Sequence, residues 1–461
     1  MSAQTVGIVG GGLLGLAVAD RLLQAGTQVD VYEGAQKLGG LVGSFDFDGY
    51  PVDRFYHVVL PTDDRVRRLA ESVEPGTPFR FRPVQVGFYD DARLFSMSSL
   101  KEFLTFPLLS PLDRVRLGRF IATCRRVRSH TELDDIELPA WLRSRSGTGV
   151  YERLWRPLLD SKFDGTFHDL PATYMWARTR RMAGTRDRSG REIMGWPEGG
   201  YQQIVDALGD SIRDRGGRIH TGTDVHWIVG DSTGVSGLVV DRRLRPFDQV
   251  LCTLLPPRMR SLLEAKVASA IPETPCRYLG VVCLIVRTRR SISPYYTLNI
   301  TDRRIPLTTV VETTHVVDPA HVGGHLLYAA KYVQPGHPDL SRPPDEISAE
   351  YVRHVRTMFP HLRDDDILAT SVQRAPMVEP VHTVGGAGRL PDMFPVPGLT
   401  LASTVHVYPD VVNGQAVLGV AERAATGILA RLQNQRGAGA KPALPRTDPQ
   451  THSVDVISVA R

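Results

Sequence analysis

Three glycines and one acidic residue near the start of the chain have the spacing of a dinucleotide-binding turn. Gly10 permits a tight turn, Gly12 lets the backbone approach a pyrophosphate, and Gly15 lets a helix pack close to a strand. Glu33 lies about 20 residues further on, where its carboxylate can accept hydrogen bonds from an adenosine ribose. These residues predict a bound dinucleotide. The alternative is a glycine-rich turn in an ordinary α/β unit.

The segments around this turn supply the elements that such a site needs. Residues 5–9 are an apolar run typical of a strand, and the residues after Gly12 have the spacing of an amphipathic helix. Gly26 ends that helix, and residues 28–32 are a second strand that leads into Glu33. The helix N-terminus, where Leu14 lies, offers amide hydrogens and its dipole to phosphates. We therefore include Leu14 among the predicted cofactor-binding residues.

A second glycine cluster, centred on Gly39 and Gly40, follows soon after the acidic residue. Together with the first turn it resembles the FAD-binding signature of the amine-oxidase and protoporphyrinogen-oxidase superfamily. The resemblance implies that this glycine pair lies against the flavin pyrophosphate and ribityl chain. Residues 46–53 alternate in polarity around Asp48-Gly49, which predicts a hairpin; in the superfamily this strand pair leads toward the isoalloxazine ring. FAD, rather than NAD, is the expected cofactor.

The resemblance extends over residues 4–432 and implies the fold. We expect an α/β protein in which a Rossmann-like FAD-binding domain is interleaved with an α+β substrate domain of a mixed sheet plus helices. The expected FAD-binding segments are 1–75, 196–262 and 391–433. The expected substrate-domain segments are 76–195, which is mainly helical, and 263–390, which holds the sheet. The polar segment 434–461 is expected to be a disordered tail.

Two later segments match the places where the superfamily returns to its cofactor. The resemblance implies that the backbone around Val225 meets the adenine. It also implies that a helix beginning near Asn413 and Gly414 abuts the flavin, where its dipole stabilises negative charge on the reduced ring. Asn413 and Gly414 are therefore predicted to bind the cofactor.

Candidate catalytic residues follow from position in the same resemblance. His57 lies just past the strand that approaches the flavin and can act as a base near neutral pH; the alternative is a packed or surface histidine. Lys162 lies in a Trp- and Pro-containing stretch, where a surface lysine is the alternative. Tyr408, before the flavin-proximal turn, is predicted to stack or hydrogen-bond in the pocket. Strand alternation would send Glu312 and His315 to opposite faces, so at most one should line the pocket.

The chain departs from the related group near the expected pocket. The paired histidine of that group is replaced by His57-Val58, and its Glu-His-Thr-Asn segment by residues 312–315. Ala402-Ser403-Thr404 lacks the acidic residue that most members carry there, and Val411-Val412 replaces an arginine and a glycine. The cofactor motifs are therefore intact while the pocket chemistry is changed, so the substrate is not transferred from relatives.

Composition narrows the classes of partner and compartment. The chain has 461 residues, a net charge of +5 and four cysteines without CxxC spacing, which favours a reducing cytoplasm and no zinc site or other metal. No apolar run reaches the roughly 20 residues that span a bilayer, and the start leaves no room for a signal peptide. The arginine clusters lack aromatic interleaving, which argues against nucleic acid.

Two features leave alternatives open. Residues 125–128 and 178–191 are arginine-rich; they form solvated helix faces, or they serve an anionic substrate or an acidic membrane surface. Residues 98–130 read as two helices with an unusually apolar start. They either pack in the substrate domain or make a peripheral membrane contact. The oligomeric state stays open.

Three functions are compatible with these residues. The leading one is an FAD-dependent oxidoreductase that oxidises or desaturates a C–N or C–C bond of a small biosynthetic intermediate, by hydride transfer to flavin N5. With one dinucleotide fingerprint, oxygen or a quinone is the expected electron acceptor, and no attachment motif for covalent FAD is evident. The second is a redox-neutral mutase of the UDP-galactopyranose mutase kind, acting on a sugar nucleotide. The third is a non-catalytic FAD-binding protein.

Overall fold

The computed structural model of the protein describes residues 4–231, 233–273 and 276–437. The strands are β1 Thr5–Val9, β2 Gln28–Tyr32, β3 Ser44–Phe47, β4 Tyr50–Asp53, β5 Phe79–Val84, β6 Val86–Asp90, β7 Arg93–Ser96, β8 Glu192–Pro197, β9 Arg218–His220, β10 Val225–Asp231, β11 Gly234–Val240, β12 Arg243–Pro246, β13 Gln249–Cys252, β14 Arg277–Thr288, β15 Thr297–Ile300, β16 Thr309–Glu312, β17 His325–Val333, β18 Ile367–Val381 and β19 Leu399–Leu401. The helices are α1 Leu13–Gln24, α2 Asp64–Val73, α3 Leu100–Leu104, α4 Pro111–Arg126, α5 Leu138–Ser146, α6 Thr148–Val150, α7 Arg156–Phe163, α8 Thr173–Arg181, α9 Gly200–Asp214, α10 Pro256–Arg260, α11 Ala265–Ala268, α12 Pro319–Val322, α13 Pro344–Met358 and α14 Gly414–Gly437.

The cofactor motifs lie on a five-stranded parallel sheet with the order β19-β13-β1-β2-β9. β1 is central, and its register places Val9 beside both Tyr32 of β2 and Cys252 of β13. Helices α1, α9 and α14 cover this sheet with buried aliphatic side chains. Because the carboxyl ends of parallel strands meet at one edge, Gly10, Glu33 and Thr253 lie together there.

A second sheet has seven strands in the order β18-β14-β17-β16-β15-β6-β7. Its pairings are antiparallel except that of β15 with β6, so it is a mixed sheet. One core joins this sheet to the helices from α3 to α8, and another buries α13 against it. The predicted α/β class, with a Rossmann-like domain and a mixed sheet plus helices, is confirmed; the segment boundaries stay predictions.

Several local predictions can be compared directly with these elements. The turn between β3 and β4 is at Asp48 and Gly49, which both have positive φ, as a two-residue hairpin turn requires. The segment 98–130 forms the two separate helices α3 and α4. The first four residues of the predicted tail belong instead to α14, which ends at Gly437; the remainder of the tail lies outside the described residues. In the described part of the chain, no helix is long and apolar enough to cross a bilayer.

A buried ion pair ties the helix after the hairpin to the helical group. Asp63, 2 % exposed, accepts hydrogen bonds from both terminal nitrogens of Arg181 at 2.9 and 3.1 Å. The same carboxylate accepts a hydrogen bond from the Leu60 amide, so it also holds the turn that leads into α2. Removing one partner of such a pair leaves a buried charge without compensation.

We expect Arg181→Met to lower the free energy of unfolding by about 3 kcal/mol, because Asp63 would remain buried without its guanidinium. Arg180→Met is the matched control, since Arg180 is exposed and lies over the ring of Trp176. Urea denaturation of both variants measures the difference. Equal stabilities would show that the pair does not hold the two regions together.

Candidate active site

The first glycine turn is built by contacts that exclude side chains. Gly10 has φ +110° and donates its amide hydrogen to the Tyr32 carbonyl at 2.8 Å. A Cβ on Gly15 would lie 2.1 Å from the Gly10 carbonyl oxygen, so α1 can start directly beneath the turn only if this residue is glycine. Gly12 differs, because the nearest protein atom to a Cβ there would be 3.9 Å away. The space above Gly12 is open.

The second glycine cluster lies against the first. The Gly39 amide donates to the Gly11 carbonyl at 2.9 Å, and Gly39 and Gly12 form a parallel bridge. Gly39 and Gly40 both have positive φ, which favours glycine at these positions. We call the surface formed by Gly10, Gly11, Gly12, Gly39 and Gly40 the glycine cradle.

Glu33 is held at the rim of the glycine cradle. Its Oε2 accepts a hydrogen bond from the Gly11 amide at 2.7 Å, and its Oε1 accepts one from the Ala35 amide at 2.9 Å. A carboxylate has about four lone-pair sites, so each oxygen can still accept a further hydrogen bond. A ribose hydroxyl is a suitable donor for it.

The remaining predicted cofactor residues are placed mainly by their backbone. Leu14 has a buried side chain in the core beneath α1, and Val225 packs with Val9 and Tyr32 at the start of β10. Asn413 uses its side chain to cap α14, accepting from the Ala416 amide at 3.0 Å and donating to the Val411 carbonyl at 2.6 Å. Gly414 begins that helix.

The arrangement of these groups fits FAD. The glycine cradle leaves an open surface beside the N-terminus of α1, Glu33 has acceptor capacity for a ribose, and α14, which begins at Gly414, packs against α1. The residues predicted from the sequence to hold the cofactor stay predictions: Gly10, Gly12, Leu14, Gly15, Glu33, Gly39, Gly40, Val225, Asn413 and Gly414.

A cavity begins next to the turn that precedes α14; we call it the central cavity. Thr404, Tyr408 and the segment 409–412 form one side of it. Tyr174, Glu379 and His382 face it from other elements, and the rest of its lining is Phe163, Leu170, Pro171, Pro380 and Val381. The cavity therefore joins the turn before α14 to α7, α8 and β18.

Lys162 lies inside the protein, not on its surface, with 16 % of its side chain exposed. Its Nζ donates to Glu379 Oε2 at 2.5 Å and lies 3.1 Å from the centre of the Tyr332 ring. The Tyr332 hydroxyl is 3.5 Å from that of Tyr56, so Lys162 belongs to a polar group that spans α7, β17, β18 and the segment after β4. Sequence reasoning missed Glu379 and Tyr332, which are far from Lys162 in the chain.

His57 is enclosed and electrically neutral near pH 7. Burial lowers the pKa of its imidazole to about 4. Its Nδ1 has no hydrogen-bond partner among the described residues, and its ring lies 5.5 Å from that of Tyr201. A neutral imidazole has one unprotonated ring nitrogen, which can accept a proton.

Asp53, four residues earlier, was not identified as a site residue from the sequence. Burial raises the pKa of its carboxyl to about 7, and a hydrogen bond from the Trp196 side chain opposes that rise only in part. The signal that could have identified it is a carboxylate at the end of the strand that leads to the flavin.

Tyr408 lines the central cavity with its ring, which lies 4.6 Å from that of His382. Its hydroxyl donates to Asp134 Oδ1, and burial raises the pKa of Tyr408 above its usual range. The Tyr408 ring is tilted by 52° to that of His382 and so is not stacked on it, and the hydroxyl is hydrogen-bonded to a protein partner.

Glu312 and His315 do not line the central cavity. β16 ends at Glu312, so strand alternation does not continue to His315. Glu312 accepts hydrogen bonds from the amides of Ile292 and Ser293, and His315 Nε2 is 2.8 Å from the Ser293 carbonyl. They fix a loop. Within the residues that the structure describes, no group of His, Cys, Asp and Glu side chains could hold a metal ion.

Comparison with known proteins agrees with this class of site. The model of the flavin-containing amine oxidoreductase family matches residues 15–428. A probable zeta-carotene desaturase of Synechococcus elongatus is 24% identical over 509 residues, which cover 92% of this chain and 98% of that protein. The crystal structure of a putative protoporphyrinogen oxidase from Exiguobacterium has a TM-score of 0.72 at 20% identity, covering 94% of this chain and 100% of that one. Reduced UDP-galactopyranose mutase has a TM-score of 0.69 at 15% identity, covering 93% and 96%.

The fold and the glycine cradle therefore define an FAD-dependent oxidoreductase. The chain belongs to the flavin-containing amine oxidoreductase family.

Two glycine substitutions should separate cofactor binding from folding. Gly12→Ala should leave the stability of the apoprotein within about 0.5 kcal/mol, because its backbone is extended and no protein atom lies close. It should strongly reduce the flavin content of the purified protein, since the methyl group occupies the space for the pyrophosphate. Gly15→Ala is the contrasting variant and should cost about 2 kcal/mol by overpacking. Full flavin content in Gly12→Ala would contradict this assignment.

Proposed function

We propose that the protein oxidises or desaturates a C–N or C–C bond of a small biosynthetic intermediate. The observation that supports this most directly is the central cavity, which starts at the turn before Gly414 and contains polar and aromatic side chains. FAD, when bound, accepts a hydride at its N5 atom. The substrate binds in the central cavity, so that the bond to be oxidised faces the flavin.

The roles of the chain's own residues follow from their charges. His57, with a pKa of about 4, is a proton acceptor at neutral pH. Asp53, with a pKa of about 7, can take up or release a proton near neutrality. Lys162 is held by Glu379 and by the Tyr332 ring, so it orients polar groups of the substrate. Tyr408 forms an aromatic wall of the cavity.

The two bond types have different support. The name of the family favours C–N oxidation, and the cyanobacterial relative's name favours C–C desaturation. Oxygen or a quinone remains the proposed electron acceptor. A redox-neutral mutase is the second candidate, supported by the fold shared with UDP-galactopyranose mutase.

Anaerobic reduction of the flavin distinguishes these candidates. The holoprotein is mixed in the absence of oxygen with amines, amino acids and biosynthetic intermediates, and the flavin absorbance is followed. We expect a substrate to bleach the flavin and oxygen or a quinone analogue to restore the colour. A mutase would instead convert a sugar nucleotide only after prior reduction with dithionite, without net bleaching. If neither behaviour occurs, the oxidoreductase proposal fails.

We propose that the protein makes a peripheral membrane contact, in which α3 and the start of α4 lie on an anionic membrane surface. Leu100, Leu104, Leu112 and Val115 are 65, 55, 59 and 68% exposed. Arg114 fixes the two helices together by donating from Nε to the Phe106 carbonyl at 3.0 Å and from Nη1 to the Leu104 carbonyl at 2.7 Å.

Next to these apolar side chains is a surface pocket lined by Arg116, Arg119, Arg143 and Arg145. Arg116 and Arg119 follow Val115 on the same helix. Exposed apolar side chains beside clustered arginines suit the boundary between lipid headgroups and acyl chains, where both kinds of group are satisfied.

Vesicle sedimentation tests the proposed membrane contact. The wild-type protein should bind vesicles of phosphatidylcholine with phosphatidylglycerol more strongly than phosphatidylcholine alone. Leu112→Ser with Val115→Ser should weaken that binding several-fold. Leu244→Ser is the control, since Leu244 is an exposed apolar residue elsewhere, at 48%. Equal binding by both variants, or no binding by the wild type, would refute the contact.

A further inference from the structure

Arg178 is located deep in the fold and yet has an exposed side chain. It lies deep in the fold, among Tyr174, Tyr56 and Tyr332 and near Glu379. Its side chain nevertheless remains exposed, whereas its neighbours Trp176 and Ala177 are buried. A side chain deep in the protein can be exposed only toward an internal space. Tyr174, one helical turn before Arg178 on α8 and within hydrogen-bond reach of it, lines the central cavity, so Arg178 lies beside that cavity.

In the described part of the chain, Arg178 has no direct ion-pair partner. Glu379, the nearby carboxylate, is engaged by Lys162 at 2.5 Å. Among the residues that the structure describes, none forms an ion pair with Arg178 within 4.0 Å. Asp410 also lines the central cavity, but among the described residues it forms no ion pair with Lys162 or Arg178 within 4.0 Å, so Arg178 lacks a direct counter-charge.

Apart from Glu379 and Asp410, the titratable groups that line the cavity or lie beside Arg178 are uncharged at neutral pH. Burial raises the pKa values of Tyr56, Tyr174 and Tyr332 above their usual range. Burial also lowers the pKa of His382 to about 4 and that of His57 to about 4. An enclosed cation is costly unless it is paired. An anion from outside the chain would complete the pairing.

The neighbouring arginines of α8 do not share this property. Arg181 is paired with Asp63, and Arg180 lies over the Trp176 ring on the surface. The cofactor phosphates do not explain Arg178 either, because two of its neighbours, Tyr174 and Glu379, line the central cavity and none belongs to the glycine cradle. The unpaired charge therefore points to the substrate.

We propose that Arg178 binds an acidic group of the substrate, a carboxylate or a phosphate, with the Tyr174 hydroxyl as a second donor. The planar guanidinium can donate two parallel hydrogen bonds to either oxyanion. This inference rests on the proposed function and deepens it: the substrate is a small acid rather than an uncharged hydrocarbon.

The test uses ligands that need no turnover. Benzoate, phenyl phosphate and the uncharged benzamide are titrated into the purified holoprotein, and binding is followed by calorimetry and by perturbation of the flavin absorbance. We expect the wild type to bind at least one of the two anions, and the stronger one identifies the acidic group. Arg178→Met should weaken that anion at least about tenfold while benzamide changes less than about twofold.

Two further variants separate recognition from folding. Arg178→Lys keeps the charge but loses the bidentate geometry, so its affinity should lie between those of the wild type and Arg178→Met. Arg180→Met should bind every ligand as the wild type does. Because Arg178→Met removes an unpaired enclosed charge, its thermal midpoint without ligand should equal or exceed that of the wild type.

Three results would overturn the proposal: no anion binding by the wild type, unchanged anion binding by Arg178→Met, or loss of flavin from that variant. The third would assign Arg178 to the cofactor. An uncharged substrate that reduces the flavin of Arg178→Met at the wild-type rate would leave the oxidoreductase function intact and overturn the acidic-group site alone. Arginine-dependent anion binding without any reducing substrate would instead retain the site and reject the function.

Discussion

The close approach of two backbone segments that carry no side chains is the constraint on which the rest of the site depends. Gly15 brings α1 beneath the Gly10 carbonyl, and Gly39 bonds to the Gly11 carbonyl from a segment beyond β2. Each contact requires glycine because a Cβ would meet backbone, which cannot move aside as a flexible side chain can. The two segments together form an open floor beside a helix N-terminus, and the sheet, Glu33 and α14 are arranged around that floor.

Local features of this molecule could be predicted from the sequence because their causes are local. A positive-φ hairpin turn needs residues such as Asp48-Gly49, and the prolines at 107 and 111 separate α3 from α4. The glycine cradle was predictable for the same reason: its two halves carry their own steric signatures.

The pocket was less predictable because its contacts join distant parts of the chain. Lys162 and Glu379 are separated by 217 residues, and Tyr408 and Asp134 by 274. Nothing near Lys162 in the sequence indicates an interior position, so a surface lysine was a reasonable alternative. Asn413 shows the reverse case. Its position at the helix start was predicted, but its amide group is used for the cap.

The cofactor half and the cavity half of the site therefore differ in how their polar groups are balanced. The cofactor half is neutral or hydrogen-bonded throughout, and the fold that carries it recurs in proteins that share only 15 to 20% identity with the chain. The cavity half keeps a polar, charged interior: Lys162 and Glu379 neutralise one another, while no described residue forms such a pair with Arg178. An unpaired interior cation lowers stability, so its retention is understandable only where a ligand supplies the missing charge. On this argument the substrate class is determined by residues of the cavity, and the fold determines only where the oxidised bond is presented.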